Sequence, residues 1–111
     1  MSLHTLNIRL DFPYRTGFTH GAFRPENDAL ASLTEQRPGS RVLVLLEKGL
    51  EQFYPQLPSD IDRYFEKNAG VLAYAGCCSV PGGEEAKTGF SAWETALRHI
   101  VEAGIDRHSY I

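Results

Sequence analysis

Few of the features that mark secreted, membrane or metal-binding proteins occur in this sequence. Its only cysteines, Cys77 and Cys78, are adjacent in the chain. Neighbours this close rarely bridge, and neither belongs to a second Cys or His pair at zinc spacing, so two reduced, buried thiols of a cytoplasmic protein are expected. The histidines, His4, His20, His99 and His108, are scattered without metal-ligand spacing and carry no catalytic or metal assignment. No apolar run reaches the roughly 18 residues that a membrane helix needs. The N-terminus lacks a basic segment followed by an apolar one, so no signal peptide is expected. Strong charge of either sign is also missing. A formal net charge of -3 argues against nucleic acid or an anionic membrane as a main partner. There is no G-x-G-x-x-G, no Walker A loop and no arguable Ser/His/Asp set.

What remains is an ordinary domain composition, with 42% hydrophobic and 23% charged residues in 111 positions, enough for one domain with a modest core. Met1-Ser2-Leu3 reads as an expression scar and is set aside, leaving residues 4–111 as the folded part. Residues Leu6 to Asp11 alternate apolar and polar, the period of a half-buried strand, and a second short strand is expected over Tyr14 to Thr19. Asn27 is placed to cap a short helix with Leu30 and Leu33 inward. The continuous aliphatic run "RVLVLLE", Arg41 to Glu47, reads as a strand covered on both faces, as in a parallel sheet. After at most a short helix, Ser59-Asp60-Ile61-Asp62 resembles a capping box. Ile61, Tyr64 and Phe65 follow at helical spacing, and Asn68 and Gly70 stop the helix. "VLAYAGCCSV", Val71 to Val80, is a second buried strand, interrupted near Gly76. Ser91-Ala92-Trp93-Glu94 is an S-x-x-E capping box that opens a helix with Trp93, Ala96, Leu97, Ile100 and Val101 on one stripe and Gly104 after its end. Tyr64, Phe65, Phe90 and Trp93 are expected in the core, and Tyr110-Ile111 begins another strand. Alternating strands and helices indicate an α/β domain.

In open parallel sheets, ligands bind beyond the carboxyl ends of the strands. Two loops fall there. In "LEKG", Glu47 can accept hydrogen bonds from ribose hydroxyls. In "PGGEEAK", Gly82 and Gly83 can take positive φ and let backbone N–H groups approach a ligand, Glu84 and Glu85 are acceptors, and Lys87 is a point charge suited to phosphate. On composition alone the same loop is equally an ordinary Pro-Gly-Gly turn.

Three segments together, "RVLVLLEKGLEQFYP", "VPGGEEAKT" and "ALRHIVEAGIDRHSYI", resemble the N-terminal part of 3-dehydroquinate synthases and the wider sugar phosphate cyclase superfamily. Gly83-Glu84-Glu85-Ala86-Lys87 matches that family's G-E-x-x-K motif, and Gly104 to Ser109 matches its G-x-D-R-x-S segment. The wording "DRHSY" is nearest a divergent synthase-like branch. The resemblance implies a Rossmann-like three-layer domain with a mostly parallel sheet. It places Glu84 and Lys87 at NAD, Glu47 where the family has a nucleotide-binding Asp, and Gly49 where an Asn is common.

It further implies a longer lyase that uses NAD and a divalent metal, zinc or cobalt, to eliminate phosphate from a sugar phosphate and close a carbocycle. The triple-glycine loop, the metal ligands and the helical C-terminal domain would then lie beyond Ile111, so this chain would be a partial NAD domain with no catalytic or metal residue of its own. A homodimer through the strand edge at Tyr110 is expected. A non-catalytic nucleotide-binding module and the N-terminal part of an iron-type NAD-dependent alcohol dehydrogenase are the alternative readings.

Overall fold

A computed structural model describes residues 1–34 and 37–111. A short helix α1 (Ala29–Thr34) precedes strand β1 (Ser40–Glu47), helix α2 (Lys48–Phe53) and helix α3 (Leu57–Lys67). Strand β2 (Leu72–Val80), a 3-10 turn over Gly83–Lys87 and helix α4 (Ser91–Glu102) follow. β1 and β2 pair in parallel, and α2 and α3 lie in the connection between them. The domain is therefore mixed α/β, built on a two-stranded parallel sheet among the described residues. Tyr110 makes a parallel bridge to Val42 on the other edge of β1. Its N–H donates to Arg41 O at 2.8 Å and its carbonyl accepts from Leu43 N–H at 3.0 Å. The strand expected at the end of the chain thus has its first rung.

The strands run as the aliphatic pattern requires. Pairing proceeds from Ser40 opposite Leu72 to Val42 opposite Tyr74. It then skips one residue, so that Leu43 faces Gly76, and continues to Glu47 opposite Val80. The irregularity expected near Gly76 is a β-bulge, and Gly76 takes φ +117°, a conformation that side-chain-bearing residues rarely adopt.

The core lies between the sheet and α3. Val42, Leu46 and Leu72 from the strands meet Ile61, Tyr64 and Phe65 from the helix, all buried. The three helical residues fall at i, i+3 and i+4, which puts them on one face. Four aromatic rings form a chain: Phe23 meets Tyr64 edge-on at 5.8 Å, Tyr64 meets Phe65 edge-on at 5.6 Å, and Phe65 stacks on Tyr74 at 4.3 Å. Leu43, pointing to the other face by the two-residue period of the strand, is equally buried. Thr34, the buried end of α1, returns its hydroxyl to Ala31 O.

Several local expectations are corrected. α3 begins at Leu57, ahead of the Ser59 box, because Pro58 suits a first helical turn; Ser59 Oγ donates to Gln56 O instead. α4 starts at Ser91 with Phe90 in the cap position, so the Ser91–Glu94 box makes no cap bond. Leu33 faces solvent, whereas Leu30 packs on the core. Phe90 and Trp93 are 75% and 62% exposed, not core, because no layer covers that side of α4 among the described residues. Residues Leu6–Asp11 and Tyr14–Thr19 form no strand. A strand exists only by pairing, and no backbone group of residues 1–19 bonds another among the described residues.

This N-terminal arm explains the elongated shape. The radius of gyration is 18.1 Å, against about 13 Å for a compact chain of this length. The ring chain and the bare helix give opposite expectations for two aromatic truncations. Phe65→Ala should cost about 3–5 kcal/mol in urea unfolding, while Trp93→Ala should stay within about 0.5 kcal/mol of wild type. Equal losses at the two positions would place Trp93 in a core.

Candidate functional site at the carboxyl ends of the strands

Glu47 is the last residue of β1 and the cap of α2. Its backbone is extended, and its Oε1 accepts the Gly49 N–H at 3.2 Å. This satisfies one of the free donors at the start of the helix. Because Glu47 lies opposite Val80, the loop leaving β2 passes directly beside it. The Glu47 side chain lies against the Gly82 backbone so closely that a Cβ on Gly82 would fall onto Glu47 Cγ, Cδ and Oε1. A Cβ on Gly49 would stand 2.8 Å from the same oxygen. Two positions without side chains thus make room for one carboxylate.

Gly83 opens the 3-10 turn at φ +60°, and nothing lies within 4 Å of where its side chain would be. Beyond it, Lys87 Nζ pairs with Glu84 Oε1 at 3.1 Å, with both side chains largely exposed. Thr88 Oγ1 donates to Glu85 O at 3.1 Å and closes the turn. The structure therefore brings Glu47, Gly49 and Gly82 together. It pairs Glu84 with Lys87 on one neighbouring turn, and leaves the Gly83 backbone open.

This set keeps hydrogen-bonding and charge capacity in reserve. Among the described residues Glu47 Oε2 accepts no hydrogen bond, so it is free for a sugar hydroxyl. An exposed ion pair is worth about 0–1 kcal/mol, so Lys87 can leave Glu84 for a phosphate at little cost.

The thiols fit no nucleophilic role. Cys77 and Cys78 are free and half-buried. Burial, then the neighbouring Cys78, raises the Cys77 pKa; burial, then Glu102, raises that of Cys78. Both stay protonated at neutral pH, whereas a reactive cysteine needs the opposite shift. Tyr74 donates to Asp62 at 2.7 Å, and burial followed by that carboxylate pushes its phenol up as well.

The G-x-D-R-x-S segment lies at the other end of the strands, where it builds a turn. The Asp106 carboxylate accepts the His108 N–H at 2.8 Å and the Ser109 hydroxyl at 2.9 Å; these bonds lower its pKa. Arg41 Nη1 donates to Ala103 O at 3.3 Å and Gly104 O at 3.0 Å, tying the end of α4 to the start of β1. Arg37 contacts His108 Nδ1. Residue-by-residue reading missed this cluster. The Asp-x-x-Ser spacing, typical of side-chain turns, was its available signal.

No family model, no curated protein and no solved structure matches this chain. Among the described residues there is no cluster of His, Cys, Asp or Glu able to hold a metal ion, and no helix long and apolar enough to cross a membrane.

Gly82→Ala should push the Glu47 side chain off Gly49 and cost about 1 kcal/mol, the worth of the lost hydrogen bond. In a Glu47→Ala background the same change should cost nothing further; an undiminished cost would mean the two residues are uncoupled. The thiols should exchange with an aromatic disulfide reagent more slowly than free cysteine at neutral pH, and need a higher pH than free cysteine to reach the same rate. The raised thiol pKa values also mean that any stability they lend is complete at neutral pH and declines as pH climbs through the folded pKa.

Proposed function

We propose that the chain carries the nucleotide-binding part of an NAD-dependent, 3-dehydroquinate synthase-like sugar phosphate cyclase, with a Rossmann-like arrangement completed by further strands. The carrying observation is the contact of Glu47, at the carboxyl end of one parallel strand, with Gly82 in the glycine loop after the next. That is where doubly wound sheets take dinucleotides. The Tyr110 rung supports the same reading, since it sets a third strand position beside β1, on the side away from β2.

Within this reading Glu47 accepts the hydroxyls of a ribose, and Gly49 and Gly82 keep the space its carboxylate needs. The open backbone at Gly83 lets the ligand approach closely. Lys87 turns from Glu84 to a phosphate oxygen, and Glu84 becomes a free acceptor. NAD, when bound, supplies reversible hydride acceptance from a substrate hydroxyl. The sugar phosphate, the zinc or cobalt ion and the acid–base groups belong to other parts of the longer lyase, so this chain binds and orients without catalysing.

Calorimetric titration of the chain with ADP-ribose tests the assignment. Binding is expected with a dissociation constant on the order of 1 mM, some 4 kcal/mol. It should vanish in Glu47→Ala and weaken several-fold in Lys87→Ala. A micromolar constant would favour a self-sufficient nucleotide-binding module, and no binding with no chemical-shift change at Gly83 would remove the NAD reading.

A further inference from the structure

The turn from Asp106 to Ser109 uses some of its polar groups and leaves others over. Asp106 accepts the His108 N–H and the Ser109 hydroxyl, and Arg41 gives one nitrogen, Nη1, to the end of α4. The groups left over surround the His108 ring. Arg37 Nη1 contacts its Nδ1, and the Arg107 Nε–H points at its Nε2 from 3.1 Å. Both ring nitrogens thus face a guanidinium donor. A neutral imidazole accepts at one nitrogen only, and an imidazolium at neither. At least one of the two contacts is therefore donor against donor, whichever tautomer the ring takes.

The charge is unbalanced in the same sense. Arg37, Arg41 and Arg107 bring three guanidinium charges to this turn against the one carboxylate of Asp106, an excess of two on a chain whose formal net charge is -3. Among the described residues, none of the three arginines forms an ion pair with a carboxylate. Arg37, Gly39, Arg41, Asp106 and His108 line an open cleft of about 410 Å³. Gly39 takes φ +79°, and nothing lies within 4 Å of where its side chain would be, so the cleft is open at that point.

We infer that this cleft binds a phosphate group, held by the Arg37 guanidinium and the His108 ring, at the end of the strands opposite the nucleotide site. A phosphate oxygen placed between Arg37 and His108 accepts from both. His108 then carries its proton on Nδ1, donates it to the phosphate, and accepts the Arg107 N–H at Nε2. The donor-against-donor contact is gone, and both ring nitrogens are satisfied. A guanidinium fork fits a carboxylate or a phosphate in the same two-bond manner. The ring decides between them. The Arg37 fork takes both oxygens of a carboxylate, whereas a phosphate offers a third oxygen to Nδ1, and its double charge matches the excess of two. The site stands on these residues alone and does not depend on the NAD reading.

Titration of the whole chain with inorganic phosphate and with glycerol phosphate tests the assignment, followed by nitrogen NMR of the backbone amides and the His108 ring. Ionic strength is held constant with chloride, because exposed charges are screened by salt. The dissociation constant is expected on the order of 1 mM. Shifts should centre on Gly39 and His108, and the ring should settle in the tautomer protonated at Nδ1. The tighter of the two ligands shows whether the cleft takes the free anion or an ester. Acetate should bind about tenfold more weakly than either. Arg37→Gln should weaken phosphate about tenfold, and Arg37→Lys, which keeps the charge without the fork, about fivefold. Lys87→Ala should leave the shifts at Gly39 and His108 unchanged, which separates this cleft from the loop after β2. Shifts at Gly83 in place of Gly39 and His108, acetate as tight as phosphate, or Arg37→Lys equal to wild type would each overturn the proposal. Arg37 is exposed, so unchanged circular dichroism in its variants separates loss of binding from loss of fold.

Discussion

The packing of α3 on the parallel pair is the contact on which the other features depend. Parallel strands bury both faces, and a sheet of two strands has no stability without a cover. Tyr64, Phe65 and Ile61 supply that cover from one turn and a half of helix, and they order Phe23 and Tyr74 around them. Once α3 holds β1 against β2, the bulge at Gly76 sets the register that brings Glu47 opposite Val80. The Glu47–Gly82 contact, two residues farther on, is a consequence of that register.

The two ends of the strands then do different work. At the carboxyl ends, a carboxylate, two glycines that make room for it and a loosely paired lysine leave hydrogen-bonding capacity open to solvent. At the amino ends, Arg41, Asp106 and Ser109 consume their capacity on neighbouring backbone and side-chain groups. The first arrangement can exchange its internal bonds for a ligand at small cost, because exposed ion pairs and single cap bonds are weak. The second holds α4 and Tyr110 in place.

Among the described residues, apolar surface without a cover lies on the arm, on the Phe90, Trp93 and Val101 side of α4, and at Phe53 and Tyr54 where α2 ends. In the arm, Arg9 and Asp11 pair with each other. The face of α4 has no such device, and its stripe reads as amphipathic only because the helical period is intact.

Much of this was legible in the residues. The aliphatic run at Arg41–Glu47 and the apolar run at Val71–Val80 read as strands of a parallel sheet, and Gly76 and Gly104 marked the interruption and the end of α4 through a positive φ that other residues rarely take. Glu47, Gly49, Gly83, Glu84 and Lys87 could be placed at strand ends because loop position follows from strand direction. The resemblance to sugar phosphate cyclases rests on sequence motifs alone. What the residues did not reveal depends on neighbours distant in the chain. Periodicity shows that Trp93 and Leu6 lie on an apolar face, but not whether another layer reaches that face. Cap choice at Pro58 and Phe90 depends on how each helix meets the loop before it. The partner of the Glu47 carboxylate in the β2 loop was decided by the bulge, since a single skipped residue determines which glycine faces it. Local chemistry follows from local sequence, whereas burial and register follow from the packing of the whole chain.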